Sequence, residues 1–152
     1  MNYKNILFQI SDSIAEIKLN RSELLNSFNY EMADEFLDAL KKCNKDINVR
    51  AIFLTGVGRA FCAGQDLEEA TRQDGPSIDQ IIEHTYNPIV ELIYGIKKPI
   101  ICYVNGIAAG AGANLAICCD VTFAGKSAKF IQSFVNIHYQ PIVLKGKFLW
   151  IC

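Results

Sequence analysis

Two glycine-punctuated stretches carry the residues most able to do chemistry. The first is Gly56–Asp66 (G-V-G-R-A-F-C-A-G-Q-D) and the second is Asn105–Asp120 (N-G-I-A-A-G-A-G-A-N-L-A-I-C-C-D). The second has small residues at Gly106, Ala108, Ala109, Gly110, Ala111, Gly112 and Ala113, so backbone can approach another group with no side chain in the way. From about Gly110 the spacing of Leu115, Cys118 and Cys119 suits a short buried helix, whose first turn would offer unbonded N–H groups and a positive dipole end. A strand, a glycine turn and a helix N-terminus together form a device for holding negative charge. Two such units, each offering a backbone N–H, suit the stabilisation of charge developing on a carbonyl oxygen. Taken alone, the second stretch equally fits a tightly packed buried helix. A membrane span is a further reading, since 99–119 is uncharged and Gly106 and Gly110 form a G-x-x-x-G pair. Pro99, Asn105, Asn114 and the glycines count against a span.

The elements that must position these stretches alternate. Ile6–Ile10 and Ile14–Leu19 read as a hairpin around Ser11–Ser13. A helix is predicted over Tyr30–Lys45, capped by Asn29, with Ala33, Phe36, Leu37 and Leu40 on its apolar face. Val49–Thr55 is a strand, and Ser77–Ile96 is helical with a kink or break at Pro88. Pro99–Val104 is a buried strand. Val121–Ala124 and Ser127–Phe130 complete the pattern, which predicts an α/β fold with crossover connections.

Composition sets the remaining bounds. The 152 residues are 51% apolar and 20% charged, enough for the core of one domain. A net charge of −1 gives no pointer to nucleic acid or an anionic membrane surface. The chain leads from Asn2, Tyr3 and Lys4 straight into a strand pattern, with no signal-like segment. The cysteines at 43, 62, 102, 118, 119 and 152 include no C-x-x-C, so neither a metal site nor a disulfide framework is expected. Reduced buried thiols in a cytoplasmic protein fit better.

Several motifs in order resemble the enoyl-CoA hydratase/isomerase (crotonase) superfamily from about Ile6 to Ile137. Asn20-Arg21 followed by Asn26-Ser27-Phe28 resembles the family's N-R-P…N-A/S segment. Gly58–Leu67 resembles its A-F-x-A-G-x-D-L loop, and Lys98–Gly112 its K-P-x-I-A-x-V-x-G-x-A-x-G-G-G segment. Cys119–Ala124 and Ala128–Phe130 follow as they should. The resemblance implies a spiral of ββα units, here incomplete and lacking the C-terminal helical part. It implies an acyl-CoA thioester as ligand, coenzyme A being part of the substrate and no separate cofactor or metal being needed. The thioester oxygen would lie between the backbone N–H groups of Ala63 and Ala111. Ala60, Cys62, Gly64, Gln65, Asp66, Leu67, Gly110 and Asn114 would line the ligand path. Arg21 would meet a coenzyme A phosphate or lie on the surface, and Asp66 would act as a structural acceptor.

The chain departs from the hydratase pattern at both positions where that branch holds a glutamate: Asn114 stands at one and Phe134 at the other. A standard hydratase is therefore not expected, because an asparagine cannot take a proton at neutral pH. Glu68, Glu69 and His84 are the other ionisable groups near the loops. The motifs are closer to the phenylacetate-pathway ring-epoxide isomerase branch, whose acid/base aspartate follows in a segment with no counterpart after Ile137. Residues 1–137 are thus read as the N-terminal part of a crotonase-like domain and 138–152 as a non-family tail, with a frameshift near 138 as one explanation. The family's homotrimer contact would require helices beyond this resemblance. The readings set beside acyl-CoA isomerase or hydratase chemistry are a non-catalytic acyl-CoA-binding or interaction fragment and a nucleotide-binding α/β domain. The second is weakened because the third glycine of G-x-G-x-x-G and a P-loop lysine are missing.

Overall fold

A computed structural model describes residues 3–132. The predicted Phe134 and the tail 138–152 lie outside the described residues. β1 (Ile6–Ser11) and β2 (Ile14–Leu19) form an antiparallel hairpin. Its two-residue turn is made by Asp12 and Ser13, both at positive φ (50° and 64°), the primed-turn geometry that matches strand twist. β3 (Ala51–Gly56), β5 (Ile100–Val104) and β7 (Val121–Ala124) then add in parallel, giving the order β1-β2-β3-β5-β7. Between them, β4 (Ala60–Cys62), β6 (Ile107–Ala109) and β8 (Lys129–Ile131) build a second, three-stranded parallel sheet. After the hairpin, each turn of the chain therefore gives one strand to each sheet. The alternation predicted from sequence is present, but β4 and β6 lie inside the stretches read as glycine loops. Three residues are too few to show a period of two.

α1 (Tyr30–Lys45) forms where its spacing demands. The Asn29 side chain accepts from the Met32 N–H at 3.0 Å, and Ala33, Phe36, Leu37 and Leu40 are all buried. Lys98 donates to the carbonyls of Cys43 (2.5 Å) and Asp46 (2.6 Å), tying the end of α1 to the entry of β5.

α2 (Leu67–Ala70) is a single turn. The predicted helix at 77–96 is three pieces: α3 (Ile78–Ile81), a π-helical turn (Ile82–Tyr86) and α4 (Asn87–Gly95). Pro88 explains the widening. It offers no N–H and its ring crowds the carbonyl four residues back, so the Asn87 N–H reaches Ile82 instead.

α5 (Ala111–Cys118) packs against both sheets' strands. The core between α1, α4, α5 and the sheets holds Phe28, Phe36, Phe61, Ile17, Leu19, Leu54 and Ile100. Each such side chain contributes about 1.5–3 kcal/mol on burial. The stretch 99–119 is thus two strands and a helix. Among the described residues, no helix is long and apolar enough to cross a membrane.

Candidate functional site

The two glycine stretches meet. β4 pairs with β6, and beyond β4 the chain turns through Gly64 at φ 95°. A Cβ added to Gly64 would stand 2.9 Å from the Ala109 carbonyl oxygen and 3.4 Å from the Ala111 nitrogen. Only glycine leaves that space open and tolerates that φ. Opposite, Gly110 takes φ 51° and starts α5, and its own N–H donates to the Ile131 carbonyl at 2.9 Å. The Ala111 N–H, first in α5, has no protein partner among the described residues, and no side chain caps that end of the helix. Its amide therefore sits at the positive end of the α5 dipole.

In the first loop the amide expected to serve as the second donor, that of Ala63, is already bonded. The Ala63 N–H donates to the Leu25 carbonyl at 2.9 Å and is committed to the fold. Phe28 bridges residue 65 in parallel fashion: its N–H donates to the Gly64 carbonyl (2.7 Å) and its carbonyl accepts from Asp66 (2.8 Å). Backbone groups alternate along extended chain, so the Gln65 N–H points away from Phe28. It has no protein partner among the described residues. The Gly64 N–H donates to Cys62 Sγ at 3.4 Å. Gln65 and Ala111 are therefore the uncommitted amides flanking Gly64. The alternation of a short extended segment held by Phe28 was the missing signal.

Other predicted ligand residues are structural. Arg21 donates to the Ser27 carbonyl (2.6 Å) and to Asp66 Oδ2 (2.8 Å), and both ion-pair side chains are nearly buried, at 15% and 12% exposure. A guanidinium held this way is a strut, which corrects its assignment to a phosphate. Asp66 is the predicted structural acceptor: its other oxygen caps α2 through Glu68 and Glu69. Ala60 and Cys62 lie wholly in the core and cannot present side chains to a ligand. Burial pushes the Cys62 thiol up to about 12. Leu67 is largely exposed, Gln65 is half-buried, and His84 and Glu68 are exposed on the surface.

Asn114 stands one turn into α5, and its Oδ1 accepts from Gln132 Nε2 at 3.0 Å. Neither side chain can take a proton at neutral pH. Among the described residues, no group of three histidine, cysteine or carboxylate side chains has a metal-ligating arrangement.

Two asparagines, named in the motifs but given no role there, hold the loops. Asn26 is buried; its Nδ2 donates to the carbonyls of Val57 (3.0 Å) and Ala60 (2.9 Å), while its Oδ1 accepts from the Arg21 N–H. Asn105 donates to the Gly58 carbonyl at 2.8 Å and so ties the start of the second stretch to the first. Buried amides with a full set of partners are costly to remove.

This combination of fold and site has known counterparts. The sequence profile of the family described as enoyl-CoA hydratase/isomerase matches residues 9–149, and the chain belongs to that family. The match runs beyond residue 137, into the stretch set apart in the sequence reading. The chain is 42% identical over 139 residues to the 1,2-epoxyphenylacetyl-CoA isomerase of Escherichia coli strain K12, covering 90% of this chain and 53% of that protein. It is 34% identical to the trans-2-decenoyl-[acyl-carrier-protein] isomerase of Streptococcus mutans, covering 93% of this chain and 55% of that one. The crystal structure of an enoyl-CoA hydratase from Bacillus anthracis superposes with a TM-score of 0.80 at 31% identity, covering 91% of this chain and 54% of that one. The chain thus spans about half the length of the curated relatives it matches.

Proposed function

We propose that the chain binds an acyl-CoA thioester with its carbonyl oxygen between the Gln65 and Ala111 amides. The observation that carries this reading is the pair of uncommitted N–H groups flanking the bare Cα of Gly64. An oxygen seated there accepts two hydrogen bonds and feels the α5 dipole. Both effects strengthen as the carbonyl gains enolate character, so the site favours the enolate over the ground-state thioester. Family membership supports isomerase- or hydratase-type chemistry on such an enolate. The similarity to a 1,2-epoxyphenylacetyl-CoA isomerase and to a trans-2-decenoyl-[acyl-carrier-protein] isomerase supports the isomerase side of that chemistry.

A second reading, binding without turnover, is favoured by one specific observation. Asn114 is neutral and is bonded to Gln132, so this turn of α5 offers an orienting amide and no base.

The test is a panel of saturated, 2-enoyl and 3-enoyl thioesters of coenzyme A, assayed for binding by calorimetry and for turnover. The expected result is that binding depends on the thioester and is lost in Gly64→Ala, whose methyl would project toward Ala111. Thioester affinity no better than that of coenzyme A alone would overturn the proposal. Binding with no double-bond migration or hydration would select the second reading.

A further inference from the structure

Residue 65 is held from both sides by groups that the chemistry proposed above does not use. The Tyr86 hydroxyl donates to Gln65 Oε1 at 3.0 Å. At the other end of the same amide, Gln65 Nε2 reaches Glu69 Oε2 at 3.4 Å. Glu69 in turn accepts from the Tyr30 N–H, the first of α1, at 3.1 and 3.3 Å. A chain of hydrogen bonds thus runs from the π-helical turn, through the Gln65 side chain, to the N-terminus of α1. Burial, with Cys62 and Glu69 nearby, pushes the Tyr86 phenol well above the ordinary tyrosine range, so it is a fixed proton donor near neutral pH.

The π-helical turn is what brings Tyr86 to this position. In an unbroken α-helix over 78–95 each residue after the turn would be rotated by about 100° relative to those before it. The widening caused by Pro88 inserts one residue. It lets Ile81 before it, Thr85 within it and Ile89 and Ile93 after it all face the core. Tyr86 packs its ring against Phe28, with centroids 6.1 Å apart, and points its hydroxyl at Gln65. Phe28 is the same residue whose backbone brackets residue 65. Backbone bridge, ring contact and side-chain clamp therefore converge on one peptide.

We propose that Tyr86 is a positioning residue for the Gln65 amide: by clamping the Gln65 side chain together with Glu69, it aims the residue-65 N–H at the thioester oxygen. The inference rests on the two-amide site proposed above. The Gly64 peptide needs such a restraint, because glycine at φ 95° is free to move to other backbone conformations. A donor pointed in advance costs no reorientation when charge develops on the oxygen.

The experiment uses the 152-residue chain and cinnamoyl-CoA, a conjugated thioester whose near-ultraviolet absorption moves to longer wavelength as its carbonyl is polarised. The native chain is expected to bind it with a red shift. Tyr86→Phe keeps the ring against Phe28 and removes only the hydroxyl. It is expected to bind within about twofold of native affinity while the red shift of the bound thioester falls by roughly half, one of two donors being misaimed. Gln65→Met, which keeps the length and removes the amide, is expected to give the same loss, and the double variant no further loss, because both changes break one clamp. An undiminished red shift in Tyr86→Phe overturns the positioning role. Loss of binding together with a lowered melting temperature also overturns it, by showing that Tyr86 serves the fold alone. Native protein that binds without any red shift, or does not bind, overturns the two-amide site itself and the inference with it.

Discussion

The two glycine loops reach the same place by different physical means. The first, 56–66, is held by polar side chains from elsewhere in the chain: Asn26 on two carbonyls, Arg21 on Asp66, and Tyr86 and Glu69 on Gln65. The second, 105–112, is held mainly by absence of bulk. A Cβ on Gly106 would lie 2.1 Å from the Arg59 carbonyl oxygen, and one on Gly112 would lie 2.3 Å from the Cys62 carbonyl oxygen. Hydrogen bonds can be removed singly and leave a loosened loop. Close backbone packing has no partial state, because a methyl group displaces a whole strand. The first loop therefore adds tunable side-chain bonds to its own close-packed glycines, Gly56 and Gly64, whereas the second rests mainly on close packing.

That contrast can be broken or sharpened by substitution. Gly112→Ala is expected to have the largest effect, destabilising by about 3 kcal/mol or preventing folding, since its methyl meets Cys62 backbone and thiol together. Chemical denaturation and soluble yield measure this; a near-native midpoint would show that the second loop yields after all.

Asn26→Ala is next, at about 2 kcal/mol, because it leaves the Val57 and Ala60 carbonyls without this donor in a buried position. The folded state should persist, with faster amide exchange at Val57–Ala63. Exchange that accelerates equally across α1 would instead indicate global destabilisation.

Asp66→Ala removes the partner of a nearly buried guanidinium and the cap of α2, and is expected to cost about 1–2 kcal/mol. Here the readout is loss of protection at Phe28 and Ala63 with α5 unchanged. Asn29→Ala, at the cap of α1, should cost about 1 kcal/mol and leave thioester binding alone.

Smallest of all is the effect of an alkylating reagent. With the Cys62 and Cys118 thiols each pushed up to about 12 and Cys43 to about 11 by burial, these groups stay protonated at pH 8 and should resist iodoacetamide until the protein unfolds. Rapid native-state labelling of Cys62, measured by peptide mass, would mean that the first loop opens.

Much of the fold was legible because its signals are local. The bounds of α1 follow from the Asn29 cap and the spacing of Phe36, Leu37 and Leu40. The hairpin follows from two alternating runs around a polar turn. Pro88 predicted a break in the second helix. What spacing could not convey was that the break would take the form of a π-helical turn, which places Tyr86 beside Gln65. Tyr86 reads in sequence as one more apolar residue on a helical face. Arg21 reads as a surface cation or a phosphate ligand; only the fold brings it to Asp66, forty-five positions away.

The sequence by itself determined the family, the alternation of strands and helices, and the two stretches where backbone lies bare, since these depend on residue type, period and glycine, all of which act over a few positions. Tertiary structure decided which amides are free. Ala63 and Gln65 sit two apart in the same motif and differ only in what lies across from them. Leu25 takes the N–H of the first, and the bridge to Phe28 turns that of the second away. A hydrogen-bond donor is available only if nothing in the folded chain has already accepted from it, and that is a property of neighbours in space.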